Sequence, residues 1–195
     1  MVQSRPRFAS FEDYLVYEGL EGRYELIDGE LIELPPESEW NLSIANYLYF
    51  LLVAQNFPVR LVHPGKCEIQ VPVLQPRDPA NRFPDLVILR EEHLPLTQRR
   101  LTITLDMPPP PQLVAEVVSP GQANHERDYH RKRDQYAMRD IPEYWIINPE
   151  EQTVMVLQLK HNHYVEVGIF QGSTQIVSPT FPNLVLTADQ FFRIA

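Results

Sequence analysis

The chain has 195 residues, enough for one domain with a full hydrophobic core but short for two. Its formal net charge of −9 argues against broad, non-specific binding to nucleic acid, which depends on neutralising phosphates, although it permits a local basic groove. The single cysteine, Cys67, excludes an internal disulfide and a zinc site built from several cysteines. We therefore expect a single domain over residues 1–195 in a reduced, cytoplasmic protein.

Neither a membrane span nor a secretion signal is expected. The longest apolar run, residues 42–54, is too short to cross a bilayer and contains Asn46. Residues 1–8 include two arginines but no apolar stretch after them.

The N-terminal part predicts a helix followed by a β-hairpin. Ser10 and Asp13 resemble a capping box, which predicts a short helix from Phe11 to about Glu18. Residues 23–34 alternate weakly around Asp28-Gly29, the strongest short hairpin signal in the chain.

Residues 41–55 have the apolar periodicity of a helix. Because Tyr49, Phe50 and Val53 make its second face apolar as well, we expect burial on both sides, against a sheet and a second subunit. The sequence therefore predicts a homodimer.

The rest of the chain predicts strands, one longer helix and a C-terminal β-meander. The expected strands are residues 67–74, 84–89, 112–118 and 143–148, with a helix over 124–139 between the last two. Residues 90–111 form a long connection, where binding loops are often found. The meander is expected at residues 154–159 and 164–170, and Thr187 with Gln190 predicts a final short helix.

Two carboxylates interrupt apolar strands. Asp85 stands at the start of one apolar run and Glu116 inside another. Even a neutral polar group left unbonded in such a place costs roughly 2–7 kcal/mol, so these acids need pairing, protonation or a metal. Lys132 follows on the next helix, where Asp128, Lys132 and Tyr136 share one face at i, i+4 and i+8. The set suggests a cation site with a basic group beside it.

Simpler explanations exist for each residue taken singly. Asp85 follows Pro84 and could be a turn residue, and Lys132 could form a surface ion pair. The tripeptide His161-Asn162-His163 is interpreted as a hairpin turn and not as a metal site, since Asn tolerates left-handed backbone angles.

The ordered set of motifs resembles the PD-(D/E)XK nuclease superfamily, specifically its Uma-two-like family of restriction endonucleases. The resemblance covers residues from about 10 to 150, and the tail is similar in pattern. It rests on the segments Tyr24–Glu30, Pro84–Val87, Ala115–Pro120, the Asp128/Lys132/Tyr136 face and Glu143–Pro149. It implies an α/β fold with a restriction-endonuclease-like core, in which helices flank a mixed central sheet.

The resemblance also implies roles for particular residues. Asp85, Glu116 and the backbone carbonyl of Val117 would hold Mg²⁺, with Mn²⁺ as a possible substitute. The usual lysine position is Val118 here, so Lys132 would supply the ammonium from the helix. Glu25 would be an extra metal or water ligand, or else an ordinary hairpin carboxylate.

Two positions depart from the family pattern. Relatives usually carry a histidine at the start of the long helix, where this chain has Glu39-Trp40-Asn41-Leu42-Ser43. The usual Asp-Pro after the Tyr-Trp strand is Asn148-Pro149.

The leading hypothesis is a metal-dependent endonuclease that hydrolyses phosphodiester bonds of DNA. Mg²⁺ is favoured over zinc because the candidate ligands are all oxygens. The alternative is a catalytically silent nuclease-fold protein that acts as an interaction or regulatory module. A hydrolase acting on another phosphate substrate is a third, weaker possibility.

Overall fold

The structure is a computed structural model that describes residues 6–107 and 109–192; the expectations for residues 1–5 fall outside that part. Helix α1 (Phe11–Leu15) begins after Ser10, whose Oγ accepts a 3.1 Å hydrogen bond from the N–H of Asp13. It ends three residues earlier than expected. Strands β1 (Tyr24–Ile27) and β2 (Glu30–Glu33) form the predicted hairpin. Its turn has φ +50° at Asp28 and +80° at Gly29, as a two-residue hairpin turn requires.

Helix α2 (Glu39–Ala54) confirms the long apolar helix, and the Oγ of Ser38 caps it by accepting the N–H of Asn41. One face is buried as expected. On the other face Trp40, Leu42 and Phe50 are 42%, 47% and 59% exposed. The described part of the chain therefore buries one side of α2, and burial on both sides is not found within a single chain.

A six-stranded mixed sheet forms the centre of the fold and confirms the predicted class. The remaining strands are β3 (Val62–Pro64), β4 (Glu68–Gln70), β5 (Asn81–Arg82), β6 (Leu86–Ile88), β7 (Thr102–Ile103), β8 (Leu113–Val117), β9 (Glu143–Asn148), β10 (Thr153–Lys160) and β11 (His163–Gln171). The central sheet has the order β11-β10-β9-β8-β6-β3. Strands β8 and β9 are parallel, and the other neighbouring pairs are antiparallel.

The expected strand over residues 67–74 requires correction. Only β4 is formed there, and it lies in a separate three-stranded sheet of order β5-β4-β7. The edge of the central sheet is β3 instead, three residues that pair with β6. Pro72 has no N–H to donate, which shortens the predicted strand, and β3 is too short to show a periodic pattern.

The helical segment after β8 consists of three parts. They are α3 (Gln122–Glu126), a π turn (Arg127–Arg131) and α4 (Lys132–Met138). The sequence predicted the helix but not its π turn, in which the N–H of Lys132 donates to the carbonyl of Arg127, five residues earlier. Inserted turns of this kind are frequent at functional sites.

The C-terminal part confirms the meander and the last helix. Strands β10 and β11 meet at a turn with φ +49° at His161 and +65° at Asn162, so the turn interpretation is correct. After β11, Gln175 and Thr187 form an isolated antiparallel bridge. Helix α5 (Ala188–Phe192) follows, with the Gln190 side chain accepting the N–H of Thr187. Within the described ranges, no helix has the length and apolarity needed to cross a membrane.

Alternation along β8 decides which side of the sheet holds each side chain. Leu113, Ala115 and Val117 belong to the apolar cluster formed with α2 and α5. Val114 and Val118 belong to the cluster on the opposite face, which includes Tyr136 of α4. Glu116 alternates with the second set and therefore faces the helix that carries Lys132.

Candidate active site

The two candidate acids lie opposite each other on neighbouring antiparallel strands. Strand β6 pairs with β8 so that Leu86 is opposite Ala115, and one further step of this register places Asp85 opposite Glu116. Directly opposite residues have Cβ atoms about 4.5–5.5 Å apart and share a face. The Oδ2 of Asp85 also accepts a 2.7 Å hydrogen bond from the N–H of Val117, which fixes its carboxylate against β8.

Lys132 reaches this pair of acids from the helix. Its Nζ lies 2.8 Å from Oε2 of Glu116 and 3.0 Å from Oδ1 of Asp128. The side chain is 10% exposed, so it is not a solvent-facing surface lysine. The structure therefore places the Lys132 ammonium beside Glu116, and its part in a reaction stays a prediction.

Asp128 forms the second ion pair of Lys132 and is itself fully buried. Its carboxylate accepts hydrogen bonds from Nε and Nη2 of Arg127 at 2.9 and 3.1 Å, and its backbone carbonyl accepts the Tyr144 hydroxyl at 2.9 Å. Glu116 has a similar anchor, because the Tyr136 hydroxyl donates to its Oε1 at 2.5 Å. On the predicted helix face, Asp128 thus binds Lys132, and Tyr136 binds Glu116 of the neighbouring strand.

Burial and neighbouring charges determine the ionisation of these groups. Burial raises the pKa of Asp85 well above its ordinary range, and the Glu116 carboxylate adds to that rise. Burial also raises the pKa of Glu116, although the Lys132 ammonium opposes the rise. For Lys132, burial lowers the pKa, but Glu116 and Asp128 outweigh it and the net shift is upward. The lysine is consequently held as an ammonium ion.

All five residues predicted for the site line one cavity of about 80 Å³, which we call the acidic cavity. These residues are Glu25, Asp85, Glu116, Val117 and Lys132. Other lining residues include Arg23, Leu34, Pro35, Glu37, Phe83, Ser119 and Arg127. Glu25 is engaged by a 2.9 Å ion pair with Nη1 of Arg82, so its carboxylate is a hairpin anchor as well as a cavity wall.

Asn41 is a site residue that sequence reasoning did not single out. Its Nδ2 donates to the backbone carbonyl of Val117 at 3.3 Å and to Oγ of Ser119 at 2.9 Å, and the residue is 3% exposed. It connects the start of α2 to the end of the strand that bears Glu116. The signal was present, because Asn41 is a polar residue in line with buried Ile44 and Leu48 at i+3 and i+7.

Arg127 also lines the acidic cavity and adds a second cation to it, although no sequence pattern singled this residue out. Its guanidinium is bound to Asp128, and its side chain is 38% exposed. Val118, at the usual lysine position, is buried in the apolar cluster with Tyr136 and supplies no polar group.

The acids fit a hard divalent cation held partly by substrate. Among residues 6–107 and 109–192, no group of three or more His, Cys, Asp or Glu side chains is placed to hold a metal ion. Magnesium, however, is commonly bound through one or two carboxylates together with substrate phosphates and water. The Oδ1 of Asp85 has no hydrogen bond within the described ranges. The raised pKa of this acid shows that burial and Glu116 destabilise its anionic form, which a bound cation would stabilise.

The central mixed sheet, with two acids facing the helix that carries Lys132, defines a nuclease-like α/β fold. The chain is similar to the protein in "Crystal structure of a putative nuclease belonging to DUF820 from Anabaena variabilis ATCC 29413", solved at 1.96 Å. The two are 17% identical, the match covers 93% of this chain and 96% of that chain, and the TM-score is 0.61.

The chain belongs to the Uma2 family, described as "Putative restriction endonuclease", whose model matches residues 11–189. The comparison with curated proteins found no match. The family and the fold therefore support a nuclease function.

Proposed function

We propose that this protein is a Mg²⁺-dependent endonuclease that hydrolyses phosphodiester bonds of DNA. The observation that carries the proposal is the meeting of Asp85, Glu116 and the Lys132 ammonium at one cavity. Three separate segments of the chain bring two acids and one cation together there, at the desolvation cost that burial of charge entails.

Asp85, Glu116 and the carbonyl of Val117 would hold the metal, and Mn²⁺ would be accepted as well. When bound, the ion supplies Lewis-acid chemistry, polarising the scissile phosphate and lowering the pKa of water. Asn41 keeps the Val117 carbonyl in place through its side-chain amide. The carboxylates would exchange a proton for the cation as it binds.

Lys132 orients the attacking water and stabilises negative charge that grows on the phosphate. Since Glu116 and Asp128 raise the pKa of Lys132, it acts as a charged hydrogen-bond donor and not as the proton acceptor. Arg127 lies at the same cavity and would neutralise a phosphate oxygen. We also propose that the protein works in the cytoplasm, where the fully buried Cys67 stays reduced.

Cleavage assays test the proposal directly. Supercoiled plasmid, linear duplex and branched DNA are incubated with Mg²⁺, Mn²⁺ or EDTA, using the wild type, Asp85→Asn and Lys132→Ala. Metal-dependent cutting should disappear in Asp85→Asn. In Lys132→Ala it should fall by roughly 10²–10³, the usual loss when one donor to the charge of the transition state is removed. The Glu25→Gln variant separates the two interpretations of that residue. If Glu25 is only a hairpin anchor, the substitution should lower stability without changing the metal dependence of cleavage.

Two observations favour the alternative of a silent interaction module. They are the net charge of −9 and the absence of the family's histidine at the start of the long helix, where the chain has Glu39-Trp40-Asn41-Leu42-Ser43. This alternative predicts a folded wild type that cuts none of these DNA substrates with either metal. Cleavage that persists unchanged in Asp85→Asn would show that the nuclease activity lies elsewhere.

A further inference from the structure

A second, larger recess of about 640 Å³ adjoins the acidic cavity, and we call it the tyrosine groove. Phe83 lines both recesses. The chain alternates between them where β1 begins, since Arg23 and Glu25 line the acidic cavity while Tyr24 lines the tyrosine groove. The two recesses are therefore neighbours across one strand and one aromatic ring.

The floor of the tyrosine groove is a rigid polar network centred on buried Glu68. Glu68 accepts hydrogen bonds from the Tyr14 hydroxyl at 2.8 Å, Thr102 Oγ1 at 2.6 Å and Arg100 Nη2 at 3.0 Å. Arg100 also donates to the carbonyl of Leu15 at 2.9 Å and lies 4.6 Å from the Tyr14 ring centroid. The charges of Glu68 and Arg100 thus neutralise each other, so the net charge of the groove depends on its other residues.

One lysine and one arginine side chain give this groove its available positive charge. Lys66 and Arg99 are both exposed, and within residues 6–107 and 109–192 neither makes an ion pair. The exposed acid at the groove is Glu18. In a chain of net charge −9, two cations with no ion-pair partner beside a nuclease-like site favour an anionic ligand.

The groove also offers aromatic surface. Tyr17 is 42% exposed, and its ring packs edge-on against Phe8 at 5.3 Å, which holds it in place. Tyr24 and Phe83 are partly exposed. Aromatic rings interleaved with basic side chains are the combination that binds single-stranded nucleic acid, because bases stack on the rings while cations contact phosphates.

We propose that the tyrosine groove binds a single-stranded segment of DNA whose next phosphate enters the acidic cavity. This inference rests on the proposed function and adds the form of substrate that it prefers. Asp85 and Glu116 are 8% and 2% exposed and line a recess of about 80 Å³. An unpaired strand bends more readily than a stiff duplex, so its backbone can follow the tyrosine groove and turn a phosphate into this small cavity.

Binding without cleavage is the decisive measurement. The full-length protein is titrated in EDTA against fluorescent DNA about 12 nucleotides long, within the usual span of single-strand sites, both as a single strand and as a blunt duplex. Fluorescence anisotropy is recorded for the wild type, Lys66→Ala, Arg99→Ala, the double variant and Tyr17→Ala. Lys160→Ala is the matched control, since it removes an exposed lysine from the β10–β11 hairpin.

The single strand should bind at least tenfold more tightly than the duplex. The double variant should reduce the salt slope of single-strand binding by about 1.4, from about 0.7 for each lost phosphate contact. Tyr17→Ala should weaken binding about tenfold, as loss of one stacked base would. Lys160→Ala should bind like the wild type.

Equal affinity for single strand and duplex would overturn the proposal, as would no binding of the single strand. The same conclusion follows if Lys160→Ala weakens binding as much as Lys66→Ala does. Because the measurement uses no metal and no cleavage, its failure is distinct from failure of the nuclease assignment. A protein that cuts DNA but fails here is a nuclease whose substrate path lies elsewhere.

Discussion

Replacing Lys132 with alanine removes an ammonium that two buried carboxylates share. Its Nζ lies 2.8 Å from Glu116 and 3.0 Å from Asp128, and at an effective dielectric constant of about 20 each pair has about 6 kcal/mol of Coulombic attraction. Desolvation of the charges offsets much of this, so breaking a buried pair costs about 3–5 kcal/mol. Since Arg127 still neutralises Asp128, we expect the lower end, about 3 kcal/mol of unfolding free energy.

The loss should depend on pH in a defined direction. Burial already raises the pKa of Glu116, and the Lys132 ammonium opposes that rise, so the alanine variant should raise it further. A carboxyl whose pKa is higher in the folded than in the unfolded state contributes stability that is present at low pH and lost as pH rises through the folded pKa. The variant should therefore lose more stability, relative to the wild type, at about pH 8 than at about pH 5.

Urea unfolding, followed by tryptophan fluorescence at both pH values, measures this difference. A loss of about 3 kcal/mol corresponds to a fall in Tm of roughly 6–12 °C for a chain of this size, which a thermal scan can verify. Lys132→Arg keeps the charge, and Lys160→Ala removes an exposed lysine as a matched control. The reasoning is refuted if Lys132→Ala and Lys160→Ala lose equally little stability at both pH values.

Three further predictions concern the metal, its ligand and assembly. Mg²⁺ at about 100 times its Kd should stabilise the wild type by about 2.7 kcal/mol, and an Asp85→Asn variant should lose most of that gain; an unchanged response in both Asp85→Asn and Glu116→Gln would disprove the site. Tyr136→Phe removes a hydroxyl that lowers the pKa of Glu116, so the variant's Glu116 should be protonated over a wider range of pH. Stabilisation of the protein by metal should therefore weaken more at about pH 6 than at about pH 8. A pH-independent effect would contradict this role of Tyr136. Light scattering should give a homodimer, twice 22.7 kDa, that Phe50→Asp converts to a monomer; a wild type of 22.7 kDa at micromolar concentration would refute it.

Local patterns in the sequence were sufficient to predict most of the secondary structure and the two acids. The hairpin at Asp28-Gly29 follows from turn chemistry, and α2 follows from apolar periodicity. Asp85 and Glu116 stood out because a carboxylate in an apolar strand needs a partner. These signals lie within a few neighbouring residues, so no tertiary contact is needed to detect them.

Contacts between distant segments were decided only by the tertiary structure. The register of β6 on β8 places Asp85 opposite Glu116, and the π turn precedes α4, at whose start Lys132 lies between Glu116 and Asp128. The edge strand β3 was invisible because three residues carry no period. Such features depend on which strands pair and how helices pack over them.

The chain by itself therefore determined which residues are chemically unusual, and the fold determined what each of them touches. Asn41 shows the difference. Its place on the buried face of α2 can be predicted from the sequence, but its hydrogen bond to the Val117 carbonyl joins residues 76 positions apart, which no local pattern predicts. The tyrosine groove likewise combines segments near Tyr17, Lys66 and Arg99 that no local pattern connects. Periodicity and turn chemistry act over a few residues, whereas a site is formed by packing across the whole chain.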